Sequence, residues 1–185
     1  KGLMLPPGLS FNAVSDKAIA ASRSSNLPKS FWAWDEMIAN NKNGYFPYTP
    51  ATNMLYALAE AIDMLQEEGL DNVFQRHQRH AEATRRAVAA WGLENLCRDP
   101  KYYSPVLTAV VMPEGHNADQ LRKVILDHFD MSLGTGLSKV AGKVFRIGHL
   151  GDVSVDDIVR AMEVLEEGAT AAGVPVVRGI AAEAA

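Results

Sequence analysis

Lys1 and Arg146 are the two side chains whose surroundings could turn an ordinary charge into chemistry. The chain reads KGLMLPPG from Lys1. Pro6 and Pro7 lock φ, and Gly8 can take a turn closed to other residues, so the amine is held while the chain turns away. A lysine amine held in this way can act as a nucleophile; taken alone, a terminal lysine reads as a frayed end. Arg146 has the mostly apolar neighbours Val144, Phe145, Ile147 and Leu150. A guanidinium there is costly unless it meets an anion, and its planar fork matches a carboxylate in bidentate fashion. A salt bridge within its own domain is the alternative. His149, three residues on, either helps to select a substrate side chain or is structural.

Other candidates are weaker. His77 and His80 stand one helical turn apart and could share a metal, but no Cys or acidic partner with ligand spacing accompanies them. A half-solvated helix face is the expectation there, and no metal site. GTGLSKVAGK superficially resembles a nucleotide loop. It fails as one, because five residues separate Gly136 from Gly142 where a P-loop has four, and Val144 follows Lys143 where a hydroxyl is required. Trp32 and Trp34 could line a substrate entrance, though large aromatics two apart suit simple packing in a short strand. Cys97, the only cysteine, cannot form an internal disulfide and reads as a small buried hydrophobe.

Positioning these residues requires ordinary elements. Residues 9–15 look like a strand, and SDKAIAASR opens with a serine cap. NNKNG is a turn leading into YFPYTP, where Pro47 and Pro50 exclude regular helix. A helix is expected from Thr52, with Met54, Leu55, Leu58, Ala61, Ile62 and Leu65 as its stripe and Gly69 as its stop. A second helix should run over residues 71–91, ended by Gly92. PVLTAVVM then reads as a strand, buried on both faces if central. Asn117 and Ser154 cap two further helices around the strand carrying Arg146. Two long helices followed by strand, helix, strand and helix predict an α/β layer whose small sheet is covered on one side. Residues 169–185 carry little pattern and should fray.

Composition bounds the function. The chain has 185 residues, 48% hydrophobic and 22% charged, enough for a proper core. A net charge of −4 provides no basic stripe, which disfavours nucleic acid and anionic membranes as partners. No apolar run approaches the roughly 18 to 20 residues of a bilayer span. The lone cysteine suits a reducing, cytoplasmic setting, although a targeting peptide could precede a chain that does not begin with Met.

KGLMLPPGLSFNAVSDKA, YFPYTPATNMLYALAEA, EEGLDNVFQRHQRHA and GKVFRIGHLGD together resemble, in order, the class V (fold type I) pyridoxal-phosphate aminotransferases of the alanine–glyoxylate and serine–glyoxylate group. The resemblance extends to about Gly168. It implies the α/β fold of a type I transferase, with residues 1–70 as the end of the large domain and a dimer-contact loop, residues 71–168 as the small C-terminal α/β domain, and residues 169–185 as a tail. A comparable length of chain, with the aromatic and the aspartate that flank the cofactor ring, would precede Lys1.

The chemistry implied by the resemblance uses Lys1 twice, holding pyridoxal 5'-phosphate as a Schiff base and then, once freed, moving the substrate Cα proton. Arg146 would take the substrate carboxylate. Tyr48 and Thr49 match the loop that reaches across a homodimer to the other subunit's cofactor phosphate. Some members carry a tyrosine where this chain has Phe46, so Tyr45 and Tyr48 both remain open as the phenol. The expected activity is transamination between serine, alanine or aspartate and a 2-oxo acid, above all glyoxylate; a fold type I lyase or a non-catalytic α/β module are the alternatives.

Overall fold

A computed structural model describes residues 2–184. It divides into two compact units, one covering Leu3–Asp63 and the other running from Met64 onward.

The first unit is helical. Ser15 accepts a hydrogen bond from the Ala18 amide and starts α1, Asp16–Ser24, as its cap residue predicts. Residues 9–15 form no strand, because a strand needs a neighbour to pair with and none of the described residues supplies one. The strand expected around the tryptophans is also corrected. Trp34–Asn41 is helix α2, with Asp35 and Glu36 in its first turn where the helix dipole favours acids. Trp32 precedes it, 74% exposed and edge-on to Phe31. Helix α3, Thr52–Glu68, spans the boundary between the units; Met54, Leu55, Leu58 and Leu65 are half-buried and Ala61 is buried, while Ile62 faces out.

The second unit holds the main core. Gly69, at φ 83°, separates α3 from α4, Leu70–Ala90. Helix α4 buries Val73, His77, His80, Ala81, Thr84, Ala87 and Val88 and exposes Phe74. The half-solvated face expected for the histidines is therefore wrong, since the sheet and the loop after it cover that side of the helix.

Four strands follow: β1 Glu94–Asn95, β2 Leu107–Val111, β3 Gly134–Thr135 and β4 Val144–Gly148, in the antiparallel order β1-β2-β4-β3. The two-residue strands β1 and β3 are too short to show a sequence period. Strand β2 alternates between the buried Thr108 and Val110 and the less covered Leu107, Ala109 and Val111, so it is fully buried on one face where both were expected.

Helix α5, Ala118–Phe129, starts on the Asn117 side chain, which accepts from the Asp119 and Gln120 amides. Helix α6, Val155–Ala171, starts on a reciprocal capping box between Ser154 and Asp157. Leu121 and Ile125 of α5 meet Met162 and Leu165 of α6 and the inward residues Val110, Phe145 and Ile147 of the sheet. Val155 stays exposed.

The end of the chain does not fray from Ala169. Ala169 and Val174 are buried in the core, Glu166 accepts hydrogen bonds from the Trp91 indole and the Gly179 amide, and a short α7, Ala181–Ala184, follows. The contacts are long-range and leave no local period to read. No helix among the described residues is long and apolar enough to cross a membrane.

Candidate active site

Arg146 lies in the middle of β4, which is flanked by β2 and β3. Its register partners are Ala109 on β2 and Gly134 on β3. Phe145 and Ile147, its neighbours along the strand, are buried in the helix-covered core, so alternation puts Arg146 on the other face of the sheet. There it is half-buried between two small residues, and its Nε donates 2.8 Å to the Thr135 carbonyl. No acidic side chain among the described residues forms an ion pair with it, so the internal salt bridge kept as the alternative is not made.

The backbone around Arg146 is held by close approaches. A β-carbon on Gly136 would collide with the Val140 carbonyl oxygen and lie 2.8 Å from that of Val144, so only glycine lets the chain pass there. The loop after β4 is clamped to α4. His77 Nδ1 donates 2.8 Å to the Val73 carbonyl, leaving Nε2 to accept from the Gly151 amide at 3.2 Å. Arg76, paired in bidentate fashion with Glu68, donates 2.7 Å to the Gly151 carbonyl. That pairing holds the Glu68 carboxyl below the usual carboxylate range. The roles of Arg76 and His77 carry no sequence signal beyond helical position, and that of Gly151 in the loop carries none.

His149 is fully buried, and its Nε2 shares a 3.0 Å hydrogen bond with the Thr108 hydroxyl. Burial pushes its imidazole down to about 4, against a smaller opposing pull from the Pro105 carbonyl. Such a group belongs to the core, which favours the structural reading of His149.

Tyr48 and Thr49 lie in the first unit, on one open cleft of about 310 Å³ that Phe31, Trp34 and Pro50 also line. The Tyr48 hydroxyl shares a hydrogen bond with Ser30 at 3.2 Å. Tyr45, Phe46, Tyr48 and Thr49 are all exposed. Trp34 lines this cleft and Trp32 does not. Lys1 lies outside the described residues. No group of three His, Cys, Asp or Glu that could hold a metal occurs among the described residues.

Helices α4, α5 and α6 close over one face of a four-stranded antiparallel sheet, and Arg146 lies on the other. No protein-family model matches the sequence. The serine–glyoxylate aminotransferase of Hyphomicrobium methylovorum is 48% identical over 82% of this chain and 38% of its own. That of Methylorubrum extorquens is 44% identical over all of this chain and 47% of its own. Among solved structures, pyridoxamine–pyruvate aminotransferase from Mesorhizobium loti superimposes with a TM-score of 0.88 at 30% identity, covering all of this chain and 48% of that one. The chain belongs to the class V, fold type I aminotransferases of the serine/alanine–glyoxylate group, and it spans about half the length of the curated relatives it matches.

Proposed function

We propose that the full-length protein is a pyridoxal 5'-phosphate-dependent aminotransferase that moves an amino group from serine, alanine or aspartate to a 2-oxo acid, with glyoxylate as the main acceptor. The observation that carries this reading is Arg146, half-buried, steadied through Nε and without an acidic partner among the described residues. Amino acids and 2-oxo acids share an α-carboxylate, so one such arginine serves both substrates in turn. Lys1 is the amine that holds the cofactor and afterwards moves the Cα proton. The cofactor, when bound, supplies the electron sink for that proton's removal. Exposed hydroxyls on Tyr48 and Thr49 fit a phosphate, which accepts hydrogen bonds only. Within this reading residues 1–70 complete the large domain and residues 71–168 form the small one. The names of the two relatives support serine and glyoxylate. Full-length protein given both should form hydroxypyruvate and glycine in equal amounts; ammonia and pyruvate from serine alone would instead indicate a lyase. Cytoplasmic residence belongs to the same reading, rests on the single cysteine, and is tested by cell fractionation.

The same proposal includes a homodimer with shared sites, motivated by the loop 45–50. Tyr45 is 70% exposed there, with Phe46 and Tyr48 beside it, an apolar projection that gains nothing from water. In a two-fold dimer each loop would enter the partner's site, so Thr49 would serve a phosphate that its own Lys1 does not hold. Mixing inactive Lys1→Ala subunits with inactive Thr49→Val subunits tests this. Each heterodimer would carry one intact and one doubly damaged site, so random exchange should restore about a quarter of the activity. No recovery despite proven subunit exchange would rule out sharing.

A further inference from the structure

We infer that Gly134 is a positioning residue for Arg146, and that with the Thr135 carbonyl it commits the guanidinium to receiving a carboxylate through its Nη1–Nη2 edge; this rests on the carboxylate role proposed above. Gly134 stands directly opposite Arg146 in the ladder between β3 and β4. A β-carbon there would lie 3.0 Å from Arg146 Cβ, 3.1 Å from Nε and 3.5 Å from Cζ. Gly134 is not among the residues at positive φ, so its backbone accepts any side chain. What glycine provides is room. The arginine side chain lies close over β3, so a β-carbon at Gly134 would crowd Cβ and Nε and push the side chain off the position in which Nε is 2.8 Å from the Thr135 carbonyl.

That carbonyl is itself held from α5. The Thr135 hydroxyl donates 3.0 Å to Asp119, which also takes Arg122 Nη1 at 2.9 Å, and Arg122 Nε donates 2.8 Å to the Leu133 carbonyl. A fork that uses Nε together with one Nη is therefore closed to a ligand. The two terminal nitrogens remain, with no partner among the described residues, and they present a planar pair of donors to one carboxylate.

In the full-length holoenzyme, Gly134→Ala should raise KM for both the amino acid and the oxo acid roughly tenfold, with kcat, the cofactor absorbance and the melting temperature nearly unchanged. The effect should vanish in an Arg146→Ala background, because it runs through that side chain. If Arg146→Ala leaves KM unchanged, the carboxylate role fails. If Arg146→Ala raises KM while Gly134→Ala does not, or if Gly134→Ala acts equally in both backgrounds, the inference about Gly134 alone is overturned. A crystal structure of the wild-type holoenzyme with α-methylserine, which lacks a Cα proton, covers the case of a poorly folding variant. Carboxylate oxygens on Nη1 and Nη2, with Nε still on Thr135, are expected; a carboxylate on Nε would refute the assignment.

Discussion

Lys1→Ala in the full-length protein should remove the visible absorption of a lysine-bound pyridoxal phosphate and, with it, measurable transamination. Two functions are lost together. In the proposed reading, the amine that would hold the cofactor has no substitute in alanine, and the base that would move the Cα proton disappears as well. Loss of the proton transfer alone is worth roughly 10²- to 10⁴-fold in rate. The variant need not lose the cofactor, since the hydroxyls of Tyr48 and Thr49 would hold its phosphate independently of the lysine. Absorbance and bound cofactor should therefore be measured separately from turnover. Arg146→Ala provides the contrast, because it should weaken substrate binding and leave the absorption in place. Near-normal turnover in Lys1→Ala would show that the chemistry belongs to another residue.

Acid should destabilise the second unit by about 3 kcal/mol between pH 6.5 and pH 4 through His149 alone. An imidazole has an ordinary value of 6.5, and burial brings His149 down to about 4. As pH falls through 6.5 the unfolded chain takes up a proton that the folded chain refuses, so stability drops. Below about 4 both states hold the proton and the loss levels off. The Pro105 backbone opposes the shift only in part, and the charged neighbours Arg85, His80 and His77 all push His149 in the same downward direction. His80, also buried, is lowered first by burial and then by Arg76, with Asp157 opposing, and it adds to the same slope. Urea unfolding at intervals from pH 7.5 to 4 should show the midpoint falling across this window. His149→Gln, less stable throughout, should show a shallower fall. A wild-type profile that stays flat from 6.5 to 4 would contradict the burial of His149.

Several parts of the molecule were legible before any fold was seen, and they share a local cause. Ser15, Asn117 and Ser154 each start a helix because a capping bond closes within two or three residues, so the signal and its partner lie in one short window. Gly69 breaks the helical run for a reason internal to its own backbone. Arg146 stood out because an arginine in an apolar strand needs an explanation at any fold. What sits beside it had no such signal. Gly134 opened a run that only superficially resembled a nucleotide loop, and only the pairing of β3 with β4 makes it the neighbour of Arg146.

The misread segments follow the same division. Residues 9–15 have strand composition, yet a strand is a relation between two segments, and no described residue provides the second. The tryptophan pair suggested period two from only two residues, while Asp35 and Glu36 after them favoured a helix start. His77 and His80 were placed correctly on a helix, but their half-solvated face was misread because nothing local shows what covers it. The sheet and the Gly151 loop do so, from more than seventy residues further on in the loop's case, at 3.2 Å from His77. Sequence determined where helices begin and which residue types were out of place; the burial of the histidines, the one-sided sheet and the free edge of Arg146 were decided by tertiary contacts, because each depends on a partner distant along the chain.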